Sequence, residues 1–330
     1  QNGHETATYL MQTGREPGGG MVFPAIGTVI AMFKSKDYHG DIPPYVILTV
    51  PKGRFSEIGF LDEQYAPLVT GGNPNANTFD VDGIVPPGGL SKEANRERFQ
   101  LLTQLDRFDP DGALPESRAF IAAGKAARAV LEGDAAKVFD LSLESKEMRD
   151  RYGRNSFGQT CLVARRLVEA GVPYVTINAQ GWDSHKRHFE TMAQRTKEMD
   201  QAFAALLEDL ADKKLLDTTL VWWSGEFGRT PKIDWNPPWN GGRNHFARCF
   251  SAVVAGGGFQ GGKVVGESDA TASNVVQRPV APQDLLGSIY ELCGIDPDGM
   301  LPNPRNLPVT ILPPESSAGR LREIYKPGAE

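Results

Sequence analysis

The sequence predicts an α/β fold, with a mainly parallel sheet covered by helices on both faces. Two observations lead there. Beyond Gly171, near-continuous apolar strands alternate with amphipathic helices, the pattern of strands buried on both sides. The 330 residues are 40% hydrophobic and 23% charged, an ordinary globular composition long enough for one large α/β domain or two smaller ones.

The elements follow in order. "HETATYLMQTG" (4–14) reads as a helix stopped by Gly14, and "FPAIGTVIAMFK" (23–34) as a second, more apolar helix. "PYVILTV" (44–50) is rich in β-formers and ends at Pro51. From about 53 to 90 the composition turns to Gly, Pro, Asn and Asp, centred on "TGGNPNANTFDVDGIVPPGG" (70–89), as in a functional loop or the edge of a cap. Helical patterns then run through "SKEANRERFQLLTQLDRF", with Ser91 as N-cap, "PESRAFIAAGKAARAVL" and "FGQTCLVARRLVEAG". "VPYVTIN" (172–178) is a strand. After His188, Met192, Thr196, Met199, Phe203, Leu206 and Leu210 recur on one helical face over about five turns. "DTTLVWWSG" (217–225) and "RCFSAVVAGG" (248–257) are further strands, and "APQDLLGSIYELCGI" (281–295) is the last helix. The proline-rich "LPNPRNLPVTILPPESSAGR" (301–320) reads as a wrapping tail.

Several function classes drop out. A formal charge of −6 without any Lys/Arg-rich run leaves no footprint for nucleic acid. Nothing approaches 18 consecutive apolar residues, so no transmembrane helix is expected. Cys161, Cys249 and Cys293 are odd in number and lie in apolar segments, as core residues rather than a disulfide framework. "GGGFQG" (256–261) matches GxGxxG, but no helical pattern follows it, so it reads as a tight turn.

The polar residues at the strand ends carry the chemistry, because open α/β sheets bind ligands outside the carboxyl ends of their strands. "GWDSHKRHF" offers Asp183, His185 and His188; "GEFGRTP" offers Glu226 and Arg229; "NGGRNHFAR" offers Arg243 and His245. Such oxygen and nitrogen donors suit zinc or manganese. A cation there would polarise an ester oxygen and activate water, and the two arginines could fork onto a tetrahedral oxyanion. Each piece also has a plainer reading. Asp183 or Ser184 could cap the next helix, His185 and His188 could be its solvated first turn, and Glu226 could pair with Arg229. His245 could be a satisfied loop histidine. What favours a metal site is three strand ends bearing ligand-type residues, each beside glycines that let backbones crowd together.

Taken in order, "GWDSH", "GEFGRTP", "GGRNHF", "VVAGGGFQGGKVVGESD" and "VAPQDLLGSIYELCGIDP" resemble a bacterial family, the sulfatase-like domain of unknown function 1501. "HETATYLMQTGREP" and "FPAIGTVIA" extend the resemblance over nearly the whole chain. That family is placed in the alkaline phosphatase superfamily. The resemblance implies one domain over 1–330, a three-layer αβα sandwich with a loop-rich and helical cap insertion at about 53–150. It implies a metal-dependent hydrolase of sulfate or phosphate esters, on a small-molecule or saccharide substrate, in a periplasmic or exported protein. The cofactor would be a divalent metal, zinc first, with manganese or calcium as alternatives. Asp183, His185 or His188, and His245 match one metal's ligands. Glu226 stands where the second metal takes an Asp-His pair, but Phe227 replaces the histidine. His4 occupies the nucleophile's position and is open as a second-metal ligand, a base or a polar helix cap. The family's first strand, with an early Asp ligand, is expected upstream of Gln1, making this a truncated copy. The competing expectation is a non-catalytic binding protein that keeps the fold.

Overall fold

The computed structural model describes residues 2–49, 54, 56–76, 79, 81, 84, 90–105, 121, 124, 128, 130 and 133–329. It is a mixed α/β structure with a small parallel sheet. At the centre of that sheet lies β1 (Tyr45–Leu48), flanked in parallel by β2 (Leu68–Val69) and β3 (Tyr174–Ile177). All four β1 residues are fully buried. The period of two sends Val46 and Leu48 to one face and Tyr45 and Ile47 to the other.

Each face has its own cover. Val46 and Leu48 pack with α6 (Ser156–Glu169), through Cys161, Leu162 and Leu167, and with Leu206 and Leu210 of α7 (His188–Asp212). Tyr45 and Ile47 meet α2 (Ile26–Lys34), where Gly27 permits a close approach: a Cβ there would lie 2.5 Å from the Tyr45 ring. The first helix, α1 (His4–Thr13), ends as expected at Gly14, whose φ of 68° is left-handed and whose N–H bonds the Leu10 carbonyl. Ser91 caps α3 (Lys92–Leu105) by accepting from the Ala94 N–H. Two short helices, α4 (Ala135–Phe139) and α5 (Lys146–Tyr152), lead into α6. Most of the 115–131 helical pattern and much of the 70–89 loop lie outside the described residues.

A second, separate ribbon pairs β4 (Leu220–Ser224) with β7 (Ala252–Gly256). It is antiparallel, with Leu220 opposite Gly256 and Ser224 opposite Ala252, so among the described residues the expected parallel pairing is that of β1 with β2 and β3. A continuous apolar strand covered on both faces reads the same in either direction. Val221 packs with the α6–α7 cluster, while Leu220 and Trp222 pack with α8 (Pro282–Leu292). The ribbon therefore shares both apolar clusters with the region around the parallel sheet. Two small hairpins, β5 (Gly228–Arg229) with β6 (His245–Phe246) and β8 (Glu267–Ser268) with β9 (Val275–Gln277), complete the strands among the described residues. Gly256, Gly257 and Gly258 all have positive φ and form the expected turn. The proline-rich tail does wrap: Leu301, Ile311 and Leu312 are buried in the cluster that includes α8.

The long helix departs from its expected form. It runs 25 residues, and along the expected apolar face Leu206 and Leu210 are buried while Thr196 is exposed. It begins at Arg187, a left-handed N-cap with φ 48° and no side-chain cap bond, so neither Asp183 nor Ser184 caps it. Its C-terminal half is anchored by a buried ionic cluster: Arg165 bridges Glu144, Glu169 and Asp209, and Asp209 also accepts from the Tyr152 hydroxyl at 2.9 Å. Among the described residues, no helix is long and apolar enough to cross a membrane.

Candidate metal centre

The site gathers at the turn that follows β3, at the β5–β6 hairpin and at the start of α1. Asp183 is the hub. Its Oδ1 accepts from Arg229 Nη2 at 2.6 Å and lies 3.0 Å from the Nε2 atoms of both His185 and His245. Those two Nε2 atoms are themselves 3.0 Å apart. The hairpin register produces half of this, setting Arg229 directly across from His245. Gly242 produces much of the rest: a Cβ there would sit 2.2 Å from the His185 carbonyl oxygen. Only a glycine lets the two segments pass so closely.

The outer nitrogens define the chemistry of the inner ones. His245 Nδ1 faces the Asn2 carbonyl at 2.8 Å, and His185 Nδ1 faces Asn244 Oδ1 at 3.1 Å. An Nδ1–H tautomer donating to these acceptors would leave each ring an Nε2 lone pair to offer a cation, in place of the contact Nε2 makes with Asp183. Two imidazole nitrogens and a carboxylate oxygen converge with mutual separations of 3.0 Å. With both nitrogens unprotonated the three would repel, and a cation among them would relieve it. Donors about 2.1 Å from a zinc or manganese ion stand about 3.0–3.4 Å apart in octahedral or tetrahedral shells. The spacing fits, and ligating histidines characteristically donate their other N–H to a carbonyl.

His4 closes the cluster from α1. Its Nδ1 lies 2.5 Å from Glu226 Oε1 and its Nε2 3.1 Å from Asp183 Oδ2. Burial disfavours the charged ring, but the bonds to Glu226 and Asp183 outweigh it and raise the His4 pKa. Burial also opposes ionisation of Asp183, yet hydrogen bonds from Arg229, His245 and His4 hold its carboxyl far below the usual range. Donor atoms of His4, Asp183 and His245 all lie within 4.8 Å of one another. His4 is thus no helix cap: the N-cap is Gly3, without a side-chain bond.

The remaining expected residues separate by role. Glu226 joins through His4 rather than pairing with Arg229. Phe227 is buried and stacks on His245, with ring centroids 4.3 Å apart, and packs 5.1 Å from His4. Arg229 keeps Nη1 buried and without a hydrogen-bond partner among the described residues. Arg243 instead gives Nε to the Thr230 carbonyl at 2.7 Å and Nη2 to that of Arg229 at 3.1 Å, fixing the hairpin. His188 lies outside the cluster: it is buried, faces Ser184 Oγ at 2.7 Å, and has its pKa lowered by burial and by Arg243. Beside the hub, Trp182 helps line a cleft of about 460 Å³ at the ends of β1 and β3, with Thr49, Ile177, Asn178 and Arg195.

Sequence reasoning missed Asn244 and Asn2, which orient the two imidazoles. Asn2 acts through its main chain, so no residue type signals it; Asn244, next to His245, could have been found as an amide flanking a ligand.

A family model described as "Protein of unknown function (DUF1501)" matches residues 1–318. No curated protein and no solved structure matches the chain.

Proposed function

From the premise that this chain belongs to the DUF1501 family, we propose that it is a metal-dependent hydrolase of sulfate or phosphate esters on an alkaline phosphatase-like scaffold. The observation that carries this reading is the convergence of His185 Nε2, His245 Nε2 and Asp183 Oδ1 at 3.0 Å from one another. Those three would hold one divalent cation, zinc first, with manganese or calcium as alternatives. Glu226 and His4 stand beside it, toward a second position. A cation bound there would supply Lewis acidity toward an ester oxygen and lower the pKa of water.

The chain's own groups supply the rest. Arg229, anchored through Nη2 on Asp183, has Nη1 left to donate to a tetrahedral oxyanion. His4, whose protonated form the bonds to Glu226 and Asp183 favour, would have a proton to release to a departing oxygen. Arg243 positions Arg229 by binding its carbonyl. The Phe227 ring excludes water from one side of His245.

Phe227 also favours a second reading, a non-catalytic binding protein, because it takes the place of a second-metal histidine and His4 that of a nucleophile. Metal analysis beside a His185→Ala/His245→Ala variant tests the site; equal, negligible metal in both would sink it. A panel of aryl sulfates and phosphates with added zinc, manganese or calcium separates the readings. Turnover supports the hydrolase, and bound metal without turnover supports the binding protein.

A further inference from the structure

An exposed aromatic shelf borders the candidate centre. Trp235 is 65% exposed, Phe189 48% and Trp239 38%. Large aromatic side chains left in water cost free energy unless something covers them. These are also held in place. The Phe189 and Trp235 rings stack, nearly parallel at 6° with centroids 5.8 Å apart. The loop that bears the tryptophans is tied by its own main chain: Asp234 N–H donates to the Gly242 carbonyl, and the Asp234 carbonyl accepts from the N–H groups of Gly241 and Gly242. Trp239 N–H bonds the Asn236 carbonyl at 2.8 Å, and the Trp239 carbonyl accepts from Arg187 N–H at 2.9 Å. Gly241, at φ +89°, leaves room for Trp235, whose ring would lie 3.0 Å from a Cβ there. A ligand settling on such a shelf has little loop ordering to overcome.

The shelf is continuous with the site. Gly242 is wedged between the His185 carbonyl and Trp239, whose Cβ would lie 3.1 Å from a Cβ at that position. Lys186, the residue after His185, sets its ammonium 5.6 Å from the Trp239 ring centroid.

We infer that Trp235, Trp239 and Phe189 form a saccharide subsite that presents the anionic ester of a sulfated or phosphorylated sugar to Asp183, His185 and His245. This rests on the hydrolase or metal-binding reading of that centre. A pyranose ring has one face of C–H groups, made electron-poor by neighbouring oxygens, which sits on the negative face of an aromatic ring. Its hydroxyl rim needs polar neighbours, and exposed Asn236, Asn240 and Lys186 interleave with the rings. A hydrocarbon chain would leave those groups dry. The Lys186 charge complements an anionic sugar.

The test uses the full chain with chondroitin sulfate tetrasaccharides and their desulfated counterparts, and dextran and galactan tetrasaccharides as further probes, read by calorimetry and tryptophan fluorescence. At least one of these sugars is expected to bind, with affinity falling tenfold or more in Trp235→Ala and in Trp239→Ala. Trp235→Phe, which keeps a ring, should recover most of the binding. The desulfated form should bind His185→Ala/His245→Ala as it binds the unaltered chain, so loss of the metal centre and loss of the shelf read out separately. Failure of all the sugars to bind, equal binding by Trp235→Ala, or preferential binding of single-stranded oligonucleotides or phospholipid vesicles at the tryptophans would overturn the subsite, whatever the metal analysis shows.

Discussion

Replacing Asn244 by alanine isolates the feature on which the metal reading depends, the fixed orientation of His185. Asn244 Oδ1 is the acceptor for the His185 Nδ1 proton, at 3.1 Å. Without it the ring can rotate or change tautomer, and the inward lone pair at Nε2 is no longer assured. Outer partners of ligating histidines are worth about 10–100-fold in metal affinity, or about 1.4–2.7 kcal/mol. Asn244 is exposed, so water can replace part of the lost acceptor, which places the expected loss near the lower end, at about tenfold. Stability should hardly change. The residue's main-chain bonds to Thr230 survive the substitution, and an exposed truncation of this kind falls within about 0.5 kcal/mol. Asn244→Asp has the opposite sign: a carboxylate acceptor raises the basicity of the ring, so zinc affinity should equal or exceed that of the unaltered chain. The assay is chelator-competition titration of zinc, with thermal melts in EDTA as the folding control. Unchanged zinc affinity in Asn244→Ala, in a protein where His185→Ala abolishes binding, would refute the tautomer argument.

Other perturbations separate packing from chemistry. Gly242→Ala puts a Cβ 2.2 Å from the His185 carbonyl; the backbone must shift, with an expected cost of about 1–3 kcal/mol in urea unfolding and a parallel loss of metal, and a stable, metal-competent variant would contradict the close approach. Glu144 is desolvated, but its bonds to Arg166 and Arg165 prevail and depress its pKa below its ordinary 4.5. A depressed carboxylate contributes its stability above the unfolded pKa and loses it as pH falls through the folded one. Glu144→Gln should therefore flatten the loss of stability as pH falls below the ordinary carboxylate range, and the same dependence of urea midpoint on pH in both proteins would discount the pair. Burial raises the Cys161 thiol to about 12, so a thiol reagent at neutral pH should leave Cys161 unmodified in the native protein and label it on unfolding, as peptide mass mapping would show.

The legible parts of the fold were those where one residue type admits one conformation. Gly14 ends α1 because a left-handed residue must follow there, and Ser91 caps α3 because its hydroxyl reaches a free N–H. Strand direction was not legible, since β7 packs apolar residues on β4 as well antiparallel as parallel. The sequence favoured His185 over His188, three residues on, but spacing gave no physical reason for that order. The left-handed turn at Arg187 separates them, leaving His185 facing Asp183 and burying His188 against Ser184. Neither the turn nor the Asn2 carbonyl that orients His245 has a signature in residue type.

Phe227 is where sequence and structure bear most directly on the choice between the two readings. From sequence it is a ligand lost. In the folded chain its ring lies 4.3 Å from that of His245 and 5.1 Å from that of His4. The buried aromatic face shields His245 from water on one side, while Asp183 stays nearly half exposed, so the ring favours a cation chiefly by holding that imidazole in place. The same ring offers no donor and takes up volume next to Glu226, so it works against a second cation. Both favour the proposed single cation at Asp183, His185 and His245, with His4, whose pKa Glu226 and Asp183 raise, beside it. Under the proposed hydrolase reading, His4 would then be the group that delivers a proton to the leaving oxygen.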